Sequence, residues 1–266
     1  MGLELIDIVK EELQKGKRVC YAFITNKEGS SPRGIGTSMI IREDESIFGT
    51  IGGGSIEYKT MLQAKKCLEQ GISKTLEFDV EFFENESKSK IKAGKVEVFI
   101  KTYLPKHRLI IIGAGHVAYS LYKIASITGF SVVVLDNRKE LLTKEKYPDA
   151  SDLLLGDVEE ETKNFDFKKS DYVVIASGST KLDEKIIEII IKNELAYIGM
   201  LGSKKKIKSI TSNLLEENID IDLLANLYAP IGLELNGETP EEVALSILSE
   251  IILIKNKGKL SHMKSI

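Results

Sequence analysis

Cysteine, histidine and long apolar runs are all scarce in this chain, and each shortage closes off a class of protein. Only two cysteines occur in 266 residues, Cys20 in a strand-like run and Cys67 in a helix-like one. They form neither a C-x-x-C pair nor a disulfide framework, which suits a reducing compartment. The three histidines, His107, His116 and His262, share no metal-ligand spacing. Neither a P-loop nor a G-x-S-x-G elbow is present. No apolar run is long enough to span a bilayer, and the N-terminus lacks the basic flank and apolar core of a signal peptide. Positive charge is not in excess either: the formal net charge is −3, against a general nucleic-acid binder. With 42% hydrophobic and 29% charged residues, the chain has the apolar material of ordinary folded domains. A soluble cytoplasmic protein is expected, with no nucleic-acid or membrane partner.

What is present centres on Arg108-Leu-Ile-Ile-Ile-Gly-Ala-Gly-His-Val-Ala118. An apolar run ends in Gly113-Ala-Gly115, a helical pattern follows, and a second apolar run, Val132 to Leu135, closes on Asp136. Asp136 follows Gly115 at about the 20-residue spacing of a dinucleotide-binding βαβ unit. In that reading Gly113 permits the turn, Gly115 admits a pyrophosphate, and Ala118 lets helix approach strand. Asp136 then receives a ribose hydroxyl, and the amides at the helix start favour an anion. His116, at the start of the helix, either contacts the ligand or is a polar residue near a cap. The alternative is a βαβ unit whose glycines serve packing alone.

The short polar stretch Pro105–Arg108 divides the chain into expected domains 1–104 and 105–266. The first is α+β: an amphipathic helix through Leu5, Ile6, Ile8, Val9 and Leu13, strands at 19–25, 39–41, 47–48 and 96–100, and a helix at 56–70. The charged segment 79–95 is expected to be a mobile loop. In the second domain, strands at 109–112, 132–135, 152–155, 172–176 and 196–200 alternate with helical patterns. That alternation implies a doubly wound parallel sheet of Rossmann type. Thr239-Pro-Glu-Glu242 signals a capped helix start.

Three further loops are rich in glycine. Ser30-Ser-Pro-Arg-Gly-Ile-Gly36, with Ser31 and Arg33, is either an anion cradle or a surface connection. Gly52-Gly53-Gly54 offers bare amides at a helix start, where Glu57 complements the dipole. Gly199-Met-Leu-Gly202-Ser203, followed by Lys204, Lys205 and Lys206, sits where ligands of parallel sheets bind. Its lysines read as a phosphate partner or as a solvated face.

These motifs, in this order, resemble the XdhC/CoxI family of xanthine dehydrogenase accessory proteins. The matching residues are Gly29-Ser-Ser-Pro-Arg33, Gly49-Thr-Ile-Gly-Gly-Gly54 with Glu57, and Leu109-Ile-Ile-Ile-Gly-Ala-Gly-His-Val117. Tyr197-Ile-Gly-Met-Leu-Gly-Ser-Lys204, Pro230-Ile-Gly-Leu233 and Thr239-Pro-Glu-Glu242 extend the match. The resemblance implies an N-terminal XdhC/CoxI domain and a C-terminal Rossmann domain. It also implies a non-catalytic carrier of molybdenum cofactor that protects it and inserts it into a hydroxylase client. A cysteine desulfurase is a further partner, and a homodimer is expected. Members commonly carry Cys-Gly-Gly before the Val-Glu-Val strand, where this chain has Lys92-Ala93-Gly94. Many carry a Thr-His segment where this chain has Ala176-Ser-Gly-Ser-Thr180. Some relatives accompany selenium-dependent molybdenum hydroxylases. The residues also leave room for an NAD(P)-dependent oxidoreductase, in which Asp136 favours NAD over NADP.

Overall fold

The computed structural model describes residues 2–29, 33–83 and 90–264. It divides into two compact units, Met1–Lys106 and His107–Ile266.

In the first unit α1 (Gly2–Gln14) precedes β1 (Val19–Gly29), β2 (Ser38–Arg42) and β3 (Ile47–Gly49). Then come α2 (Gly54–Gln70), β4 (Lys74–Phe83) and β5 (Lys90–Tyr103). The strands form an antiparallel sheet of order β3-β2-β1-β5-β4. Side chains alternate across a strand, so one sequence supplies both faces. Cys20, Ala22 and Ile24 of β1 join Met39, Ile41, Val98 and Ile100 in a core with Ala64 and Cys67 of α2. Val19 and Ile40 pack with Leu5 and Val9 of α1. Gly71 stops α2 in a left-handed conformation, its N–H donating to the Cys67 carbonyl.

The expected loop at 79–95 is instead largely strand. β4 and β5 pair with Asp79 opposite Lys95 and Val80 opposite Gly94, with a register shift after Val80. Leu76, Phe78 and Val80 alternate with Glu77 and Asp79, the period of a half-buried strand. Opposite charges such as Asp79 and Lys95 suit facing positions on paired strands. Glu84, Glu86 and Lys88 lie outside the described residues.

The second unit opens with β6 (Arg108–Ile112), α3 (His116–Ile127), β7 (Ser131–Asp136) and β8 (Asp152–Leu155). It continues with α4 (Val158–Asn164), β9 (Tyr172–Ile175), α5 (Thr180–Ile190), β10 (Tyr197–Met200) and α6 (Lys204–Glu216). It ends with α7 (Ile221–Leu224), β11 (Leu227–Tyr228) and α8 (Pro240–Lys255). The parallel sheet runs β11-β10-β9-β6-β7-β8. Counted from its own first strand, this is the 3-2-1-4-5-6 order of the doubly wound fold, with the switch point between β6 and β9. Leu109 and Ile111 face α3 and α8, while Ile110 and Ile112 face α5 and α6. Both faces are therefore apolar, and each buried isoleucine contributes roughly 1.5–3 kcal/mol. Thr239 and Glu242 form a full capping box at α8. The two-residue β11 has no counterpart among the expected strands, being too short to show a period.

Candidate functional site

Strand register brings residues 34–38 of the first unit beside the loop that begins at Gly49, and the Gly29–Gly94 pair stands further along β1. Gly29, at the end of β1, pairs with Gly94 of β5. Residues 33–37 lead into β2 at Ser38, and Met39 of β2 pairs with Gly49, where β3 ends and the glycine-rich loop begins. Gly49 must be glycine: its φ is 84°, and a Cβ would lie 2.7 Å from the Ser38 carbonyl oxygen. Arg33 is exposed in this region, while Ser31 lies outside the described residues. Gly34, Gly36, Gly53 and Gly54 each have open space where a Cβ would stand.

The loop entering α2 is organised by its own glutamate. Glu57 accepts from the Thr50 hydroxyl at 2.6 Å and from the N–H groups of Ile51 and Gly53 at 3.3 and 3.1 Å. The Gly52 N–H donates to the Thr50 hydroxyl oxygen at 3.1 Å. The expected row of bare amides is thus corrected: those of residues 51 to 53 are already engaged. Glu57 does more than complement the dipole, because it fixes the shape of the loop. Gly53 caps α2 with no side-chain hydrogen bond, so open space and the first-turn amides of α2 remain for a ligand.

At the switch point of the second unit the glycines divide their tasks. Gly113 has φ 119°, and a Cβ there would lie 2.3 Å from the Ala176 carbonyl oxygen at the end of β9. Its N–H donates to the Leu135 carbonyl at 2.7 Å. Gly115 caps α3 at φ −72° with no side-chain cap, and the space beyond its Cα is open. Ala118 is buried against the sheet and His116 is exposed at the helix start. Open space therefore lies beside the uncapped amides at the start of α3, a setting that favours an anion.

Asp136 does not present itself to a ribose. Only 3% of the residue is exposed, and both oxygens turn inward. Oδ2 accepts the Ala114 N–H at 2.6 Å and Arg138 Nη2 at 2.6 Å. Oδ1 accepts the N–H and Nε of Arg138, each at 2.8 Å. Burial pushes this carboxyl upward, but the hydrogen bonds from Arg138 and Ala114 outweigh it and hold it below the ordinary aspartate value.

The third glycine loop is mostly structural. Gly199 is buried inside β10, where a Cβ would stand 2.4 Å from Ile231 Cδ1. Gly202 faces the Lys206 stem, and Ser203 caps α6 by accepting the Lys206 N–H at 3.3 Å. Lys206 departs from the solvated-face reading. Its ammonium pairs with the fully buried carboxylate of Asp183, which also accepts the Ser177 hydroxyl. Sequence reasoning missed this cluster, yet a signal existed. Asp183 shares the helical stripe of Ile186, Ile187 and Ile190, where a lone acid needs a buried partner.

Other candidates fall away from these motifs. A cavity of about 370 Å³ lies between β2 and α2 at the opposite end of the first sheet, bordered by Arg18, Arg42, Tyr58, Met61 and Leu62. The group Glu184, Glu188 and Glu217 offers carboxylates alone. Both cysteines are buried thiols, and burial pushes Cys20 up to about 11, so neither supplies a thiolate near neutrality.

Residues 109–251 match the model of the XdhC Rossmann domain, and residues 12–79 match that of the XdhC and CoxI family. An uncharacterized Escherichia coli protein, YqeB, is 30% identical over 238 residues, covering 89% of this chain and 43% of its own length. A Bacillus subtilis protein described as a probable subunit of xanthine dehydrogenase is 34% identical over 160 residues, 60% of this chain and 46% of its own length. The chain therefore spans less than half of either relative. A crystal structure described as a xanthine dehydrogenase from Bacillus halodurans shares the fold, with a TM-score of 0.54, 23% identity and 96% coverage of both chains. Two domain matches in sequence order, borne on the doubly wound topology and glycine loops described above, establish that the chain belongs to the XdhC and CoxI family.

Proposed function

We propose that this chain is an accessory factor for a molybdenum hydroxylase of the xanthine dehydrogenase type. In this reading it holds molybdenum cofactor and assists its maturation and insertion into the client. The observation that carries the proposal is the approach of the Arg33–Ser38 connection to the Gly49–Glu57 loop, where a Cβ at Gly49 would lie 2.7 Å from the Ser38 carbonyl oxygen. The pterin cofactor bears a phosphate. Arg33 supplies a fork of donors for it, and the open space above Gly34, Gly36, Gly53 and Gly54 lets backbone approach a flat ligand. With Lys92 in place of the family's usual cysteine, the cofactor is held by phosphate and pterin rather than by a protein thiolate on its metal. The client hydroxylase, a desulfurase and a second copy of the chain are the partners this role calls for. An NAD(P)-dependent oxidoreductase is the second reading, favoured by the open cradle at Gly115.

Arg33→Ala separates the two. Losing a charge-assisted contact worth roughly 1.5–3 kcal/mol weakens binding about tenfold or more. The variant should keep its circular dichroism while losing bound pterin, and client activity in cells should fall. Unchanged pterin retention and client maturation would remove the loop from the site. Nicotinamide turnover without pterin would favour the enzyme.

A further inference from the structure

We infer that the nucleotide cleft of the second unit selects an adenine dinucleotide bearing a 2′-phosphate, with Arg138 as the residue that reads it. The inference concerns this cleft alone and goes beyond the cofactor-carrier reading.

A ribose diol is recognised by a free carboxylate at the end of the second strand of such a unit. Asp136 stands there, but its lone pairs are occupied by Ala114 and Arg138 and it is almost wholly covered. A 2′-hydroxyl would have to break the clamp that holds the glycine loop. Arg138 is the opposite case. Nε and one Nη2 hydrogen serve Asp136, which leaves the two Nη1 hydrogens and the second Nη2 hydrogen for another acceptor. Its side chain is 42% exposed, so that outer edge reaches solvent. The guanidinium is thus held rigidly by one anion and offers its free edge to a second, which suits a phosphate.

The neighbours add to the preference. Lys146 lies over the rings of Tyr119 and Tyr147, 5.0 and 5.8 Å from their centroids. The buried Tyr147 hydroxyl has no protein partner, and it lies within electrostatic reach of both Asp136 and Arg138. Lys146 and Arg138 therefore both stand by this aromatic wall, and Lys123 lies over the Tyr119 ring, 5.5 Å from its centroid. Glu140 also acts on Arg138 and moderates the positive field.

The test is calorimetric titration of the full chain with NADP⁺ and NAD⁺, with 2′,5′-ADP against 5′-AMP, and with inorganic phosphate as a control. NADP⁺ should bind at least about tenfold tighter than NAD⁺, the second pair should differ in the same sense, and inorganic phosphate should not compete at comparable concentration. Arg138→Ala uncovers Asp136 and should abolish or reverse the preference. Where that variant melts early, Arg138→Lys keeps a charge but loses the fork and should narrow the gap. Equal or tighter NAD⁺ binding to the wild type, binding of neither dinucleotide, or a preference that survives Arg138→Ala overturns the inference. Pterin retention is read separately, so failure here leaves the carrier reading standing and failure there leaves this one.

Discussion

The Asp136 carboxylate accepts the main-chain N–H of Ala114 at 2.6 Å, so the last residue of β7 clamps the glycine turn that follows β6. Asp136→Ala would leave that buried N–H and the Arg138 guanidinium without their acceptor. A loss of about 2–4 kcal/mol in urea unfolding is expected. The carboxyl is held below its ordinary value of 3.8 in the folded state. Its contribution is therefore complete above the unfolded value and is lost as pH falls through the lower folded one. Urea midpoints measured from pH 6 to pH 2 should drop in the wild type, and the drop should be shallower in Asp136→Asn. Parallel curves for the two proteins would exclude the clamp as the source.

Gly113 and Gly115 are predicted to respond oppositely to a single methyl group. Gly113→Ala combines a φ of 119° with a 2.3 Å approach to the Ala176 carbonyl and should cost about 3 kcal/mol or more. Gly115→Ala, at φ −72° with open space, should change stability by less than about 1 kcal/mol. Thermal melts of the two variants decide this, and equal destabilisation would show that Gly115 is also a packing position. Gly115→Val should fold and lose dinucleotide affinity.

Glu57 is predicted to be the organiser of the loop before α2. Glu57→Ala frees the amides of Ile51 and Gly53 together with the Thr50 hydroxyl, and should cost about 1.5–3 kcal/mol. Hydrogen exchange at Ile51 and Gly53 should accelerate far more than exchange in the β1–β2 ladder. If those amides exchange as slowly as in the wild type, another group fixes the loop.

Much of the second unit is legible in the sequence because strand and helix periods there are long and uninterrupted. The run Leu109–Ile112, the glycine turn and Thr239-Pro-Glu-Glu242 each carry one local meaning, and the chain folds accordingly. Asp136 shows where such reading stops. Its spacing marks the end of β7, but the sequence does not say that Arg138, two residues on, turns back onto it. Lys206 teaches the same lesson. In sequence it is one of three adjacent lysines, and only the fold brings the buried Asp183 within its reach. The hairpin of β4 and β5 hides for another reason: its charges suggest a loop until the alternation of Leu76, Phe78 and Val80 is followed.

Both thiols should be unreactive in the native protein. Burial raises Cys20 to about 11 and also raises Cys67, so the folded state keeps the thiols protonated where the unfolded chain would ionise. Their contribution to stability is complete below the unfolded thiol value, about 8.5, and is lost as pH rises through the raised folded values, about 11 for Cys20. An aromatic disulfide reagent at pH 8 should label neither cysteine at a rate above that of global unfolding. Rapid stoichiometric labelling of native protein would show that this core opens locally.

The central claim is that the first unit carries the pterin cofactor of a molybdenum hydroxylase. Its most direct test is the pterin content of the chain purified anaerobically from molybdenum-replete cells, read as fluorescence after oxidation. The account predicts pterin released in proportion to wild-type protein and largely absent from Arg33→Ala at equal fold content. Pterin absent from the wild type, or equal in the two, would contradict it.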